Sequence, residues 1–470
     1  MNRVCPPFLL TLLLTAFLLP PPTDADERAS PWNSPIRRLA PDSGWTAIYQ
    51  RDGSSALTSI CLLLRGGKRA EPPGREGSAY LTARLMLEIP DDRSARRLMV
   101  QASPLSAGSH GDFCLIEVET LSAHLEETLK ILSRPLHNPL FSDIRLEALK
   151  RYMGHLRMRE TDASVSLARS LLLGSFFGPR GYGASSYGTE DSLKKIRGRD
   201  LQDLYESWYG AENIVLAVVT DRGEEEVGSL LRAHFKPPRR GGPTEPRTPI
   251  PSPAPATELS DTRDTLQSLV GAAYLLPGAS PKIFALASLA ESLIGKGVSS
   301  RLWRLRQEGL LAYNILCNYL PFRDAGILET CLETDNDKLE AAADAFQAVL
   351  ADVSTEGTDA RELEAARLIA LTEFLRDNEA KSSRARNMAV YEALGLGHDF
   401  LEAVPSLLAA VTPEEMNAFL AERLSPDKAA RVVIKGTKKK EQTASPAGLS
   451  QRLFLRPDAA RTSPEAGAQR

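Results

Sequence analysis

The chain has 470 residues, more than one ordinary core holds, so two or more domains are expected. Its 57 basic and 60 acidic side chains leave a formal net charge of −3, and no run of the sequence gathers enough positive charge for a nucleic-acid surface. Hydrophobic residues make up 43%, as in a globular chain that buries a sizeable core.

The N-terminus places Arg3 before an apolar run from Phe8 to Leu19, followed by prolines and Thr23-Asp24-Ala25. That is the layout of a secretory signal, and cleavage is expected after Ala25; a retained anchor is the alternative. The run is short for a bilayer, and no other segment reaches 18 apolar residues, so an exported chain, periplasmic or secreted, is expected. Export permits disulfides among Cys61, Cys114, Cys317 and Cys331. Cys317 and Cys331 flank a turn around Arg323–Gly326 almost symmetrically and can face one another across a hairpin. Four buried thiols remain the other reading. No CxxC is present, which argues against a zinc ribbon or redox motif.

The first half, residues 40–235, reads as strand Gly111–Thr120, helix Leu121–Arg134, a helix containing Leu146–Lys150, a third helix Ser164–Phe177 and a closing strand Asn213–Thr220. Residues 236–257 are so rich in proline that they form a linker. The second half, residues 258–436, repeats the order about 215 positions later: strand Gly326–Thr334, helix Lys338–Val353, a helix containing Leu363–Arg367, helix Ser382–Leu394 and strand Ala430–Lys435. Beyond Gly436 the composition is that of a mostly disordered tail. The expected fold is α+β: two similar α/β-sandwich halves, each a mostly antiparallel sheet with helices on one side, forming a clamshell.

Within the second half, Gly295-Lys-Gly-Val-Ser-Ser300 reads as a Gly-rich loop, with Ser299 or Ser300 capping a helix that runs to Glu308. Gly309 then stops that helix in the left-handed conformation, and Tyr313 opens a strand near Arg306. A phosphate cradle is a weak rival reading, because no P-loop lysine and serine stand in register.

The layout from about Ala40 to Gly436 resembles the pitrilysin/insulinase family of zinc peptidases, the inverzincins. The segments that carry the resemblance are Leu62–Gly77, Tyr187-Gly188-Thr189, Trp208–Val219 and the Gly-rich loop. In that family a helix with Gly-x-Ala-His-x-x-Glu-His binds the metal. This chain has Gly77-Ser-Ala-Tyr80-Leu-Thr-Ala83-Arg84 instead. Two imidazoles on one helical face hold zinc and the glutamate between them serves as base, roles that Tyr80, Ala83 and Arg84 cannot take at neutral pH. The third ligand of the family should fall near Met153–Leu156, where His155 stands and no carboxylate occurs between Glu147 and Glu160. The six histidines, His110, His124, His137, His155, His234 and His398, include no pair at helical ligand spacing. No intrinsic zinc is therefore expected.

The resemblance also implies roles for Arg306 and Tyr313, which keep the family's seven-residue spacing for an arginine and a tyrosine that reach the substrate near the zinc. A phenol can donate to a developing oxyanion while a guanidinium holds a carbonyl or carboxylate, and one such donor contributes about 3 kcal/mol of barrier. The purely structural reading has Arg306 closing a helix end and Tyr313 packing on a sheet. Two functions follow from the resemblance. In one, the chain is the non-zinc subunit of an exported two-chain peptidase, with zinc on a partner subunit of the same family, Arg306 and Tyr313 acting in trans, and Gly295, Gly297, Ser299 and Ser300 shaping substrate binding. In the other, it is a pseudo-peptidase that binds peptides or scaffolds other proteins.

Overall fold

Two sheets with one shared topology organise the computed structural model, which describes residues 32, 34–39, 44–87, 92–137, 139–236, 257–307 and 309–438. The expected signal segment, nearly all of the proline-rich linker and most of the tail lie outside these residues. The first half contains β1 (Arg37–Leu39), β2 (Thr46–Arg51), β3 (Leu57–Arg65), α1 (Ser78–Met86), α2 (Asp92–Val100), β4 (Leu105–Ser109), β5 (Phe113–Leu121), α3 (Leu125–His137), α4 (Asp143–Asp162), α5 (Ser164–Phe177), α6 (Glu190–Lys195), α7 (Gly198–Trp208), β6 (Ile214–Thr220) and α8 (Glu224–His234). The second contains β7 (Glu258–Arg263), β8 (Gln267–Pro277), α9 (Pro281–Ile294), α10 (Trp303–Gln307), β9 (Asn314–Pro321), β10 (Ala325–Asp335), α11 (Leu339–Thr355), α12 (Ala360–Asp377), α13 (Lys381–Leu394), α14 (Phe400–Ala410), α15 (Pro413–Arg423) and β11 (Ala430–Gly436).

The first sheet runs β1-β2-β6-β3-β5-β4 and the second β7-β11-β8-β10-β9. Each is antiparallel except at one junction, β2 with β6 and β7 with β11. Leaving β1 aside, the two orders correspond strand for strand. This is the two-halved clamshell architecture expected from the repeat.

Both faces of the central strands are buried, because each half lends a helix to the other. Along β3, Ile60, Leu62 and Leu64 face helices of their own half, including Ala79 and Ala83 of α1 and Leu129 of α3. The alternate residues Cys61 and Leu63 join a core that includes Ala385, Met388 and Ala389 of α13. In return, Leu167, Leu172 and Phe176 of α5 pack with Leu269, Ala273, Ile327 and Val432 of the second sheet. The two third helices are thus exchanged across the molecule.

Polar contacts fix the exchange. Lys381 Nζ donates to the carbonyls of Asp52, Ser55 and Leu57 at 2.7, 2.8 and 3.0 Å. Arg384, 2% exposed, pairs with Asp52, donates to Gln50 Oε1 at 3.0 Å and satisfies the Asn378 and Glu379 carbonyls at the end of α12. Arg169 grips Glu329 of β10, and Arg386 grips Glu117 of β5.

Of the two cysteine readings, the facing pair fails and the four buried thiols hold. Cys317 stands opposite Thr330 and Cys331 opposite Leu316, so one residue of register turns the two thiols to opposite faces of the sheet. All four described cysteines are free and buried, and burial raises their thiol pKa values, that of Cys114 to about 12.

Candidate functional site

Glu71 sets the start of α1. It is 6% exposed and accepts from the backbone N–H groups of Gly77 and Ala79 at 3.0 and 2.9 Å, so its carboxylate closes the helix N-terminus. Desolvation still pushes its pKa up to about 8. Gly77 has φ +96, and a Cβ there would lie 3.1 Å from both Gly188 N and Met153 Cε, so glycine is what lets the loop before α6 and helix α4 close on α1. Ser192 Oγ adds a bond to the Glu76 carbonyl at 2.7 Å.

The residues standing at the family's metal positions are packed into this frame. Ala83 is fully buried and Tyr80 is 7% exposed, its ring edge-on to Tyr187 with centroids 5.4 Å apart. Burial raises the Tyr80 phenol; Tyr187 and Tyr152 push the same way and Arg84 opposes. Arg84 is half-buried and His155 of α4 is exposed. Among the described residues, no group of three or more histidine, cysteine, aspartate or glutamate side chains is placed to hold a metal ion.

In the second half, the Gly-rich loop folds back on the helix that precedes it. The N–H groups of Gly295 and Lys296 donate to the Glu291 carbonyl, and those of Arg301 and Leu302 to Leu293 and Ile294. These donors are spent on α9, which weakens the phosphate-cradle reading. A Cβ on Gly295 would lie 2.7 Å from Cys317 Cβ, and one on Gly297, at φ +79, would lie 2.8 Å from Ile369 Cδ1. Lys296 pairs with Glu291 at 3.1 Å, and Glu291 also accepts from Tyr319 N; burial holds the Glu291 pKa up at about 7.

The capping expectation is overturned. The helix after the loop is only Trp303–Gln307, and Ser300 Oγ donates to the Gly297 carbonyl at 2.9 Å, so the hydroxyl braces the loop from within. Ser299 lies exposed at the rim of a cavity of about 680 Å³ between the loop, α11 and α12. Arg301 in its wall is tied to Glu362 by two 2.8 Å bonds. Leu310, with φ 49, takes the left-handed position expected of Gly309.

Arg306 is exposed, its guanidinium 4.7 Å from the Trp303 ring centroid. Tyr313 is 69% exposed, and its backbone N–H starts the β9–β10 pairing through the Glu333 carbonyl at 2.7 Å. No described hydrogen bond or ring contact joins the two side chains, so the sequence expectation that they are set close together gains no described contact.

A bridge between the halves, buried at Arg69 and Asp112 and open to solvent at Asp324, escaped the sequence reading. Arg69 pairs with both Asp112, at 3.3 Å, and Asp324, while Tyr182 donates to Asp112 at 2.7 Å and stacks on Phe322 at 4.2 Å. The two aspartates are equivalent positions of the repeat, each just before the inner hairpin strand. That equivalence was the available signal.

Residues 195–369 match the family model described as the Peptidase M16 inactive domain. The chain is 20% identical over 406 residues to "Uncharacterized zinc protease YmxG" of Bacillus subtilis (strain 168), covering 85% of this chain and 98% of that one. It is 24% identical over 391 residues to "Non-peptidase homolog YmxG" of Helicobacter pylori (strain ATCC 700392 / 26695), covering 79% and 88%. The crystal structure of a peptidase M16 inactive domain from Pseudomonas fluorescens superposes with TM-score 0.77 at 20% identity, covering 86% of this chain and 99% of that one. With the repeated fold and the altered metal helix, these likenesses agree with the resemblance to the pitrilysin/insulinase peptidases, in a form without the zinc motif, and the part of the chain matched by the M16 inactive-domain model is residues 195–369.

Proposed function

We propose that this chain is the non-zinc subunit of an exported two-chain metallopeptidase. A zinc-bearing subunit of the same family supplies metal and base, and this chain supplies one wall of the substrate chamber with Arg306 and Tyr313. The observation that supports this reading is the contrast between two places. The metal helix is filled by a buried alanine and a nearly buried tyrosine, whereas Tyr313, which a folded chain gains little from holding at its surface, is 69% exposed. A phenol and a guanidinium placed in solvent beside a partner's zinc would meet a developing oxyanion and a substrate carboxylate. The test is to isolate the chain from its native exported fraction and identify by mass spectrometry what co-purifies in equal amount. A partner carrying His-x-x-Glu-His supports the reading, and recovery of the chain alone overturns it.

A second reading, a pseudo-peptidase that binds peptides without catalysis, draws support from the relative described as a non-peptidase homologue. In that case the purified chain binds peptides with no stoichiometric partner.

A further inference from the structure

Counted back from its last residue, α9 sets Ser288, Glu291 and Ser292 where α1 sets Tyr80, Ala83 and Arg84. The offset that lays Arg386 over Arg169 likewise carries Met153–Leu156 onto Ala370–Glu373. The second half thus has its own counterpart of the altered metal pocket, and in it a carboxylate stands at the position of the base. That counterpart is a cavity of about 130 Å³ lined by Ser288, Glu291 and Ser292 of α9 and by Glu373 and Asp377 of α12. It has room for roughly four water-sized groups. Its other walls are aromatic. Phe374 and Tyr391 line it together with Phe284, whose ring is edge-on to Tyr391 at 5.5 Å and to Tyr319 at 6.1 Å. Tyr391 is 8% exposed and no described residue bonds its hydroxyl, and the Tyr319 hydroxyl is buried without a partner. A phenol held dry in this way is costly unless a ligand completes its hydrogen bonding. Lys296, also in the wall, already seats one ammonium on Glu291 at 3.1 Å. Glu373 is shared with Arg376, and Asp377 has no described partner.

We propose that this cavity binds a primary ammonium on a short alkyl stem, either the end of a peptide lysine or a free small amine. Asp377 and Glu373 take the charge, the Tyr391 hydroxyl accepts one N–H, and the rings of Phe284, Phe374 and Tyr391 cover the stem and add cation–π attraction. A metal ion suits the pocket less well. Serine hydroxyls stand where imidazoles would, and among the described residues no three acidic, histidine or cysteine side chains are placed to hold one. An ammonium needs no such convergence, because its three N–H groups reach acceptors that lie apart. The site belongs to the second half alone and does not depend on a zinc-bearing partner.

The test is calorimetry on the full chain at fixed ionic strength, with n-butylammonium chloride as the probe and n-butanol as its uncharged counterpart. Saturable binding of butylammonium, at least about tenfold tighter than butanol, is expected. D377N/E373Q, at surface-accessible positions, should weaken it about tenfold, and Y391F, which keeps the ring, about threefold. An end-capped peptide with one lysine that binds as tightly as butylammonium, and loses binding when that lysine is acetylated, assigns a peptide lysine; binding of butylammonium with the peptide silent assigns a free amine. Equal affinity for butanol, no saturation up to about 10 mM, or unchanged affinity in D377N/E373Q overturns the proposal. A missing zinc partner in the co-purification leaves this result untouched, so the two readings fail separately.

Discussion

Arg386 donates to Glu117 at 2.7 Å, and the internal repeat sets Arg169 on Glu329 through a matching pair of bonds at 2.8 and 3.0 Å. Each arginine sits on an exchanged helix and each glutamate on the inner hairpin strand of the opposite half. The two bonds differ in surroundings: the Glu329 side chain is 10% exposed and that of Glu117 is 23%. Arg169→Ala is therefore expected to cost about 1–3 kcal/mol, since it leaves a nearly buried carboxylate with the Asn318 amide, at 3.2 Å, as its remaining described side-chain donor, and Arg386→Ala less than about 1 kcal/mol. Urea unfolding of both variants checks the order; a larger cost for Arg386→Ala would refute this account.

Lys381→Met removes the ammonium that three carbonyls share in the turn after β2. The ammonium is 6% exposed, but Ser55 and Leu57 are exposed and Asp52 is half-buried, so their carbonyls keep access to water and a loss of about 1–2 kcal/mol is expected. Thermal unfolding of the variant decides it, and a midpoint within a degree or so of the parent would show that water replaces the lysine.

Tyr313→Phe should leave the unfolding free energy within about 0.5 kcal/mol of the parent, because the phenol is exposed and no described residue bonds it. On the proposed two-chain reading, the same change should lower kcat of the assembled pair by at least about tenfold with assembly intact. Loss of assembly would return Tyr313 to a structural role.

Gly297→Ala forces a side chain onto a backbone at φ +79 against Ile369. A cost of about 1–2 kcal/mol is expected, and Ile369→Ala in the same chain should recover part of it. Additive costs in that double-variant cycle would mean that the two residues do not press on one another.

Two buried carboxyls shape the response to pH. The folded pKa values of Glu71 and Glu291, about 8 and about 7, lie above the ordinary 4.5, because burial disfavours their ionised forms. The folded state therefore holds these protons more tightly than the unfolded state does. Their contribution is complete below about pH 4.5 and is lost as pH rises through 7 and then 8. Stability is expected to fall between about pH 4.5 and pH 8, and Glu71→Gln should flatten that fall. A parent curve that rises over this window would contradict the assignment.

The repeat was legible because strand and helix periods are strong where one face is buried. Helix Ser164–Phe177 falls where the sequence put it, and the other repeated elements lie within a few residues. What the pattern could not convey is ownership. Apolar residues on α5 and α13 say that those helices are covered, and nothing in their spacing says that the cover belongs to the other half. The Gly-rich loop was read correctly as a turn and wrongly as a capped helix start, because Ser300 spends its hydroxyl on Gly297 three residues back. The register of Cys317 and Cys331 turned on a single residue of hairpin geometry, which symmetric spacing about a turn does not fix.

The exchange of α5 and α13 also has a consequence in time. Residues 381–394 cover one face of β3 and β6, strands that lie within the first 220 positions of the chain. During synthesis, that apolar face has no cover until nearly the whole chain has arrived. The first half cannot reach its final packing alone, so completion of the fold is delayed until the late helix docks, and a chain truncated before residue 381 should aggregate when it tries to fold.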